Sequence, residues 1–350
     1  MLELLKLNNS FLVDYQTRTR ISRYLNLFLE CLWLLAVILV PLAFLGRNYA
    51  VSEAEIGFVE VPKVALMRTL AGLMGICWII DWSLRVQWPS KSLFVRQGAL
   101  LQPNLWAFRL TEWLRLNPAR VLALAIALYL FSVLISTALS GSFKLSLWGE
   151  VPGQDGYSAY TMVSYGVICA VVMTHLKTRR QLVRLLGSAI SVGTIVAGYA
   201  IFQHYGYDFL RLSVASGGGN TSFMGNVIFA AAVVIMTIPI TLACATNHLA
   251  GLGISVEGIR GKVIRSFYDA TAFTFWITIV TIQLLGVLVT FSRAPALAML
   301  IALLVFILVI AGLLGWRIGG RSMLVLGLAA GIALVISQQI APISSPWLWM

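Results

Sequence analysis

Nine stretches of about 20 apolar residues follow one another along the chain, each long enough to cross a bilayer. They fall at about 25–45, 62–84, 120–139, 157–176, 183–203, 223–246, 270–291, 294–314 and 322–340. The 350 residues are 59% hydrophobic and only 11% charged, where soluble domains carry roughly 25% charged residues. Mean hydropathy is +0.89. A soluble core has nowhere to put this much apolar surface, so the pattern predicts an all-α polytopic membrane protein.

The net charge of +12 is spread over short loops and forms no basic domain, so no nucleic acid partner is expected. Of the 25 Lys and Arg residues, 19 lie in the amino-terminal segment and in alternate loops, including 177–184 and 247–269. Only Arg47, Lys63, Arg68, Lys144, Arg211 and Arg293 fall on the other side, together with Glu53, Glu55, Glu60, Glu150, Asp155 and Asp208. Basic loops stay in the cytoplasm, so the bias predicts a cytoplasmic amino terminus and an outside carboxyl end. Residues 1–24 are then a cytoplasmic segment and 25–340 a transmembrane helical domain. The first span, about 21 residues long, is too long for the apolar core of a cleaved signal peptide and reads as a retained signal anchor.

Segment 85–119 is the one long cytoplasmic connection. In "NLWAFRLTEWLRL" the residues Trp106, Leu110, Trp113 and Leu114 recur at helical spacing with Arg109, Glu112 and Arg115 between them. This suits an amphipathic helix lying among the membrane lipids, as an anchor or as a grip on a lipid substrate. Cys31, Cys77, Cys169 and Cys244 all fall inside apolar spans without CxxC spacing. Neither a zinc site nor a disulfide framework is expected, and no metal or cofactor.

Polar chemistry concentrates in two places on the outer side. In "RLSVASGGGNTSFMGN" (211–226) the glycines permit close backbone approach to an anion, and a helix amino terminus is expected near Ser222 to Gly225. The segment lacks the lysine of a nucleotide-binding P-loop. Gly219 and Asn220 are the substrate-binding candidates here, and Arg211 adds a planar guanidinium that matches phosphate oxygens. In "VTFSRAPALAML" (289–300) Arg293 sits between two spans joined with almost no linker, with Ser292 as a candidate helix cap and Pro295 in the first turn. Arg68 lies about two turns inside the second span, a depth at which a cation normally faces a partner or a polar cavity. The competing reading of Arg211 and of Arg293 is a side chain snorkelling to lipid headgroups.

Together with "STALSGSFKLSLWG" (136–149) and "FQHYGYD" (202–208), these two motifs resemble the O-antigen ligase and O-antigen polymerase superfamily over roughly residues 120–315. "GNTSFMGN" departs from the family's Gly-Asn-Pro-Asn form. The resemblance implies a metal-independent transferase of the bacterial inner membrane. It would move a glycan from a polyprenyl diphosphate-linked donor to a hydroxyl of a lipid or glycan acceptor. It also implies that Arg211 and Arg293 act as catalytic clamps on the diphosphate, with Gly219, Asn220 and Ser292 binding substrate; Arg68 joins them as a substrate-binding candidate by its depth in the second span, not by a motif. Family members continue into a large outer loop bearing Arg and His, which 341–350 would begin. The chain is therefore expected to be incomplete and inactive alone. His204 reads as a surface histidine, with His175 and His248 cytoplasmic. A transporter or a lipid or polysaccharide flippase is the rival function, and a scaffold without a reaction the third.

The charge bias gives a direct test. On a background without native cysteines, single cysteines at 150, 208 and 344 should react with an impermeant thiol reagent in intact cells. Those at 96, 180 and 262 should be protected. Labelling at 180 or 262, or protection at 150, would reverse the sidedness.

Overall fold

The structure, a computed structural model, describes residues 2–45, 59–85, 118–149, 155–212, 220–251 and 259–340. The proposed amphipathic segment at 86–117, Gly219 and residues 341–350 lie outside them. Among the described residues there is no strand. Ten α-helices follow in order: α1 (Leu2–Leu42), α2 (Val61–Arg85), α3 (Pro118–Ala138), α4 (Phe143–Trp148), α5 (Ala159–His175), α6 (Arg179–His204), α7 (Val227–Gly251), α8 (Ile259–Leu288), α9 (Arg293–Leu314) and α10 (Trp316–Ile340). Eight of them are long and apolar enough to cross a membrane. The protein is an all-α, multi-pass membrane protein.

Three boundaries differ from the sequence expectation. The segment expected to precede the first span is itself helical, continuous with α1. The fourth expected span yields α5, which has 17 residues and reaches only about 25 Å at 1.5 Å per residue. Ser158 delays its start, because its backbone is extended and its side-chain oxygen caps the helix by accepting from the Thr161 amide. The last helix starts at Trp316 rather than near 322, since Gly315 adopts φ +94° and breaks the chain in a single residue.

The chain forms two compact units, Met1–Ala36 with Val64–Leu182, and Val37–Lys63 with Val183–Met350. In the first, α3 packs on α5, and the short α4 bridges them. Leu29, Leu32 and Trp33 of α1 and Met67, Leu70 and Met74 of α2 are buried. The start of α6 is fixed by a reciprocal cap: Thr178 Oγ1 accepts from the Gln181 amide, and Gln181 Oε1 accepts from the Thr178 amide at 3.0 Å.

In the second unit α7 packs on α8, α9 and α10, and α8 also packs on α10. Its core combines Val196 and Ala197 of α6, Val234, Ile238 and Leu242 of α7, Val280 and Leu284 of α8, and Val325 and Ala329 of α10. Buried threonines on these helices return their hydroxyls to their own helix, as Thr241 does to the Thr237 carbonyl at 3.0 Å. They therefore sit in an apolar core without an unpaired polar atom. Lys63 closes the end of α1 by donating to the carbonyls of Val40 (3.3 Å), Pro41 and Ala43 (2.9 Å).

Close helix approach in lipid needs small residues. A Cβ on Gly286 would lie 2.7 Å from the Ala197 Cα, so α6 and α8 touch backbone to backbone there. Around Gly312 of α9 a Cβ would meet nothing within 4 Å. Gly286→Val should lower the thermal midpoint of the purified protein, at a cost of about 1–3 kcal/mol for overpacking. Gly312→Ala should leave the midpoint unchanged or raise it. Equal midpoints for the two variants would remove the α6–α8 contact.

Candidate functional site

At the carboxyl end of α6 the chain turns back through Gly206, at φ +82°, and runs over the helix it has just left. Asp208 fixes this return. Its Oδ1 accepts from the Tyr199 hydroxyl at 2.5 Å, the Leu212 amide at 3.1 Å and Gln203 Nε2 at 3.4 Å. The Tyr199 hydroxyl in turn accepts from the Leu210 amide at 3.1 Å. Leu212 is driven into the core, 1% exposed, and Arg211 beside it is exposed. Asp208 thus holds one arm of the loop by a charge-assisted network rather than facing solvent.

The other arm, from Asn220 onward, docks on the same helix. Gln203 Oε1 accepts from the Ser222 amide at 2.7 Å, and Ser222 Oγ donates to the Val196 carbonyl at 2.8 Å. One glutamine therefore serves both arms. The helix start expected between Ser222 and Gly225 is instead a single 3-10 turn, Ser222–Met224. α7 begins later, at Val227, after Asn226 Oδ1 has accepted from the Ile228 amide at 2.8 Å. The displacement follows from Ser222, whose left-handed φ of +51° does not continue into a helix.

Asn220 reaches further still. Its Nδ2 donates to the Val289 carbonyl at 2.6 Å, just past the end of α8. Asn220 thereby meets the turn that carries "TFSRAP". Within that turn Phe291 has φ +53° and Ser292 is extended. Ser292 occupies the cap position of α9, but its hydroxyl makes no capping bond. Arg293, the first residue of α9, is exposed, and Pro295 is buried in the first turn. His204 packs its ring on Phe291, centroids 5.5 Å apart.

Among the described residues the non-glycine positions with left-handed backbone are Arg211, Ser222 and Phe291. All three lie in these two segments. Such strain costs of order 1–3 kcal/mol per residue and gathers where function over-determines the backbone.

Arg68 belongs to the first unit. Its Nε donates to Thr161 Oγ1 at 3.0 Å, and its Nη2 to Ser158 Oγ (2.8 Å), Thr161 Oγ1 (2.8 Å) and the Trp148 carbonyl (3.1 Å). The guanidinium also lies 4.9 Å from the Tyr160 ring centroid. These partners are neutral protein oxygens, and through them Arg68 ties α2 to the end of α4 and the start of α5.

Sequence reasoning missed Gln203 and Tyr199, and read Asp208 only as an acid on the cation-poor side. The available signal was spacing: Tyr199 and Gln203 stand one turn apart on α6, nine and five residues before Asp208. His175 and His248, read as cytoplasmic, each meet an aspartate, at 3.2 Å from Asp81 and 3.2 Å from Asp269. Among the described residues no three His, Cys, Asp or Glu side chains gather as a metal-binding group.

Asp208→Ala should release both strands of the network, and the amides of Leu210 and Leu212 should then exchange with solvent at least tenfold faster by mass spectrometry. Asp208→Asn keeps one acceptor oxygen and should fall between. Unchanged exchange in the alanine variant would show that the loop is held by other contacts. Because Asp208 is an anchor, the accessibility probe for this loop is better placed at exposed Tyr207.

Compared with family models, curated proteins and solved structures, the chain finds no match.

Proposed function

We propose that the chain is a polytopic transferase of a bacterial inner membrane, moving a glycan from a polyprenyl diphosphate carrier to an acceptor hydroxyl at the outer face. The observation that supports this reading is the Asn220–Val289 hydrogen bond. It joins the two arginine-bearing segments across 69 positions of sequence. In transfer, the acceptor oxygen bonds to the anomeric carbon as its hydroxyl proton passes to solvent, and the bond from that carbon to the diphosphate oxygen breaks. The departing diphosphate gains negative charge. Guanidiniums of Arg211 and Arg293 stabilise that charge in the transition state. Each offers a planar pair of donors suited to phosphate oxygens. Arg68 belongs to the first unit, where it donates to Ser158, Thr161 and Trp148.

A second reading, a transporter or flippase, is favoured by one observation. Asp81 and His175 are 2% and 4% exposed, and Ser22 Oγ donates to Asp81 at 2.7 Å. A buried ionisable pair joining two apolar helices is the arrangement of a proton relay. Uptake or flipping driven by a proton gradient, lost in Asp81→Asn, would favour this reading over transfer.

For the transferase, Arg211→Ala and Arg293→Ala should each weaken binding of a polyprenyl diphosphate in lipid nanodiscs about ten- to hundredfold. Lysine should rescue only in part, keeping the charge and losing the fork. Wild-type affinity in both lysine variants, with little loss in the alanine variants, is the behaviour of snorkelling side chains and would overturn the clamp.

A further inference from the structure

The first unit holds a cavity of about 530 Å³ between α3, α4 and the start of α5. This is within the roughly 300–1,000 Å³ of small-molecule sites. Twelve described residues line the cavity; seven of them carry a hydroxyl group, and among these described residues none is a carboxylate, an ammonium or a guanidinium. The source of the polarity is specific. α3 is a strongly apolar span, and past Arg120 its only polar side chains are Tyr129, Ser132, Ser136 and Thr137. All four line the cavity.

Two of these hydroxyls are uncommitted. Thr137 Oγ1 donates to the Val133 carbonyl at 2.9 Å, and Ser158 Oγ is held by Arg68 at 2.8 Å. Ser132 and Ser136, one helical turn apart and both exposed, hydrogen-bond to no other described residue. The Tyr157 ring, 77% exposed, stands over the same space.

We infer that this cavity binds an uncharged saccharide. A neutral polyol exchanges hydrogen bonds with open serine hydroxyls, while its C–H faces pack on tyrosine rings. A lipid acyl chain would leave those hydroxyls unpaired, and a site built to hydrogen-bond rejects ligands lacking the partner groups. An anion would find no cation among the described lining residues. The inference stands on the cavity alone and does not require the transferase reading.

The test uses the full chain in nanodiscs free of sugar-headed detergent. Saturation-transfer NMR with lactose and chitobiose reports contact with neutral sugars. Inorganic pyrophosphate and excess phospholipid serve as competitors. Wild type should transfer saturation to sugar ring protons. The Ser132→Ala/Ser136→Ala double variant should weaken the apparent affinity about fivefold or more. Neither serine has a partner among the described residues, so folding should be unaffected, and an unchanged thermal midpoint checks this. Ser136→Trp should abolish the signal by filling the space. Absence of transfer in wild type would overturn the inference. So would transfer unchanged in both variants, or sugar displaced by pyrophosphate or phospholipid. Polyprenyl diphosphate binding, measured on the same samples, separates the two claims. Sugar binding without diphosphate binding keeps the cavity and sinks the clamp, and the reverse sinks the cavity alone.

Discussion

Backbone amides and carbonyls that enter hydrocarbon must find partners inside the protein, and every other feature of this chain is arranged around that constraint. Within helices the ladder meets it. At helix ends it does not, and there long polar side chains take over. Lys63 donates to carbonyls at the end of α1, Arg68 to the Trp148 carbonyl at the end of α4, and Asn220 to the Val289 carbonyl after α8. Gln203 accepts from the amide of Ser222. Each of these would be costly if buried unpaired, and each instead turns a frayed end into a fixed point. Among the described residues the buried side-chain atoms left without a partner are only Trp33 Nε1 and Gln283 Oε1.

The same economy shapes the proposed site. The loop after α6 could have been a mobile connection. Instead Asp208 and Gln203 pin its two arms to α6, and Asn220 pins it to the α8–α9 turn. Arg211 is thereby carried on backbone held in a sparsely populated conformation, and Arg293 follows two residues after another. An anion-binding group benefits from this, because a pre-positioned guanidinium loses little freedom when phosphate arrives. In the first unit Arg68 plays the opposite part. Its guanidinium meets hydroxyl, carbonyl and ring, and its effect is to hold the wall of a hydroxyl-lined cavity.

Much of the fold was legible because span length and hydropathy report directly on the bilayer. All nine apolar stretches became helices. The short α5 and the early start of α10 were not legible, since each turns on one residue: the capping Ser158 and the left-handed Gly315. Site residues were legible only by type. Arg211, Arg293 and Asn220 stand out as polar groups in an apolar chain. The sequence could not say that Asn220 meets Val289, because that contact depends on how far the chain doubles back after α6. Nor could it reveal that Arg68 is consumed by Ser158 and Thr161, about 90 residues away. Gln203 and Tyr199 were hidden for a simpler reason. They sit in a helix that reads as an ordinary span, and their partners are backbone amides, which carry no sequence signature.

The most direct test of the convergent site is to map where a lipid diphosphate lies. A polyprenyl diphosphate carrying a photoreactive group next to its phosphates would be cross-linked to the full chain in nanodiscs, and the labelled peptides identified by mass spectrometry. Convergence predicts adducts in both segments, within 205–226 and within 289–295, both suppressed by unlabelled carrier. Adducts confined to one segment, or persisting at saturating competitor, would contradict it.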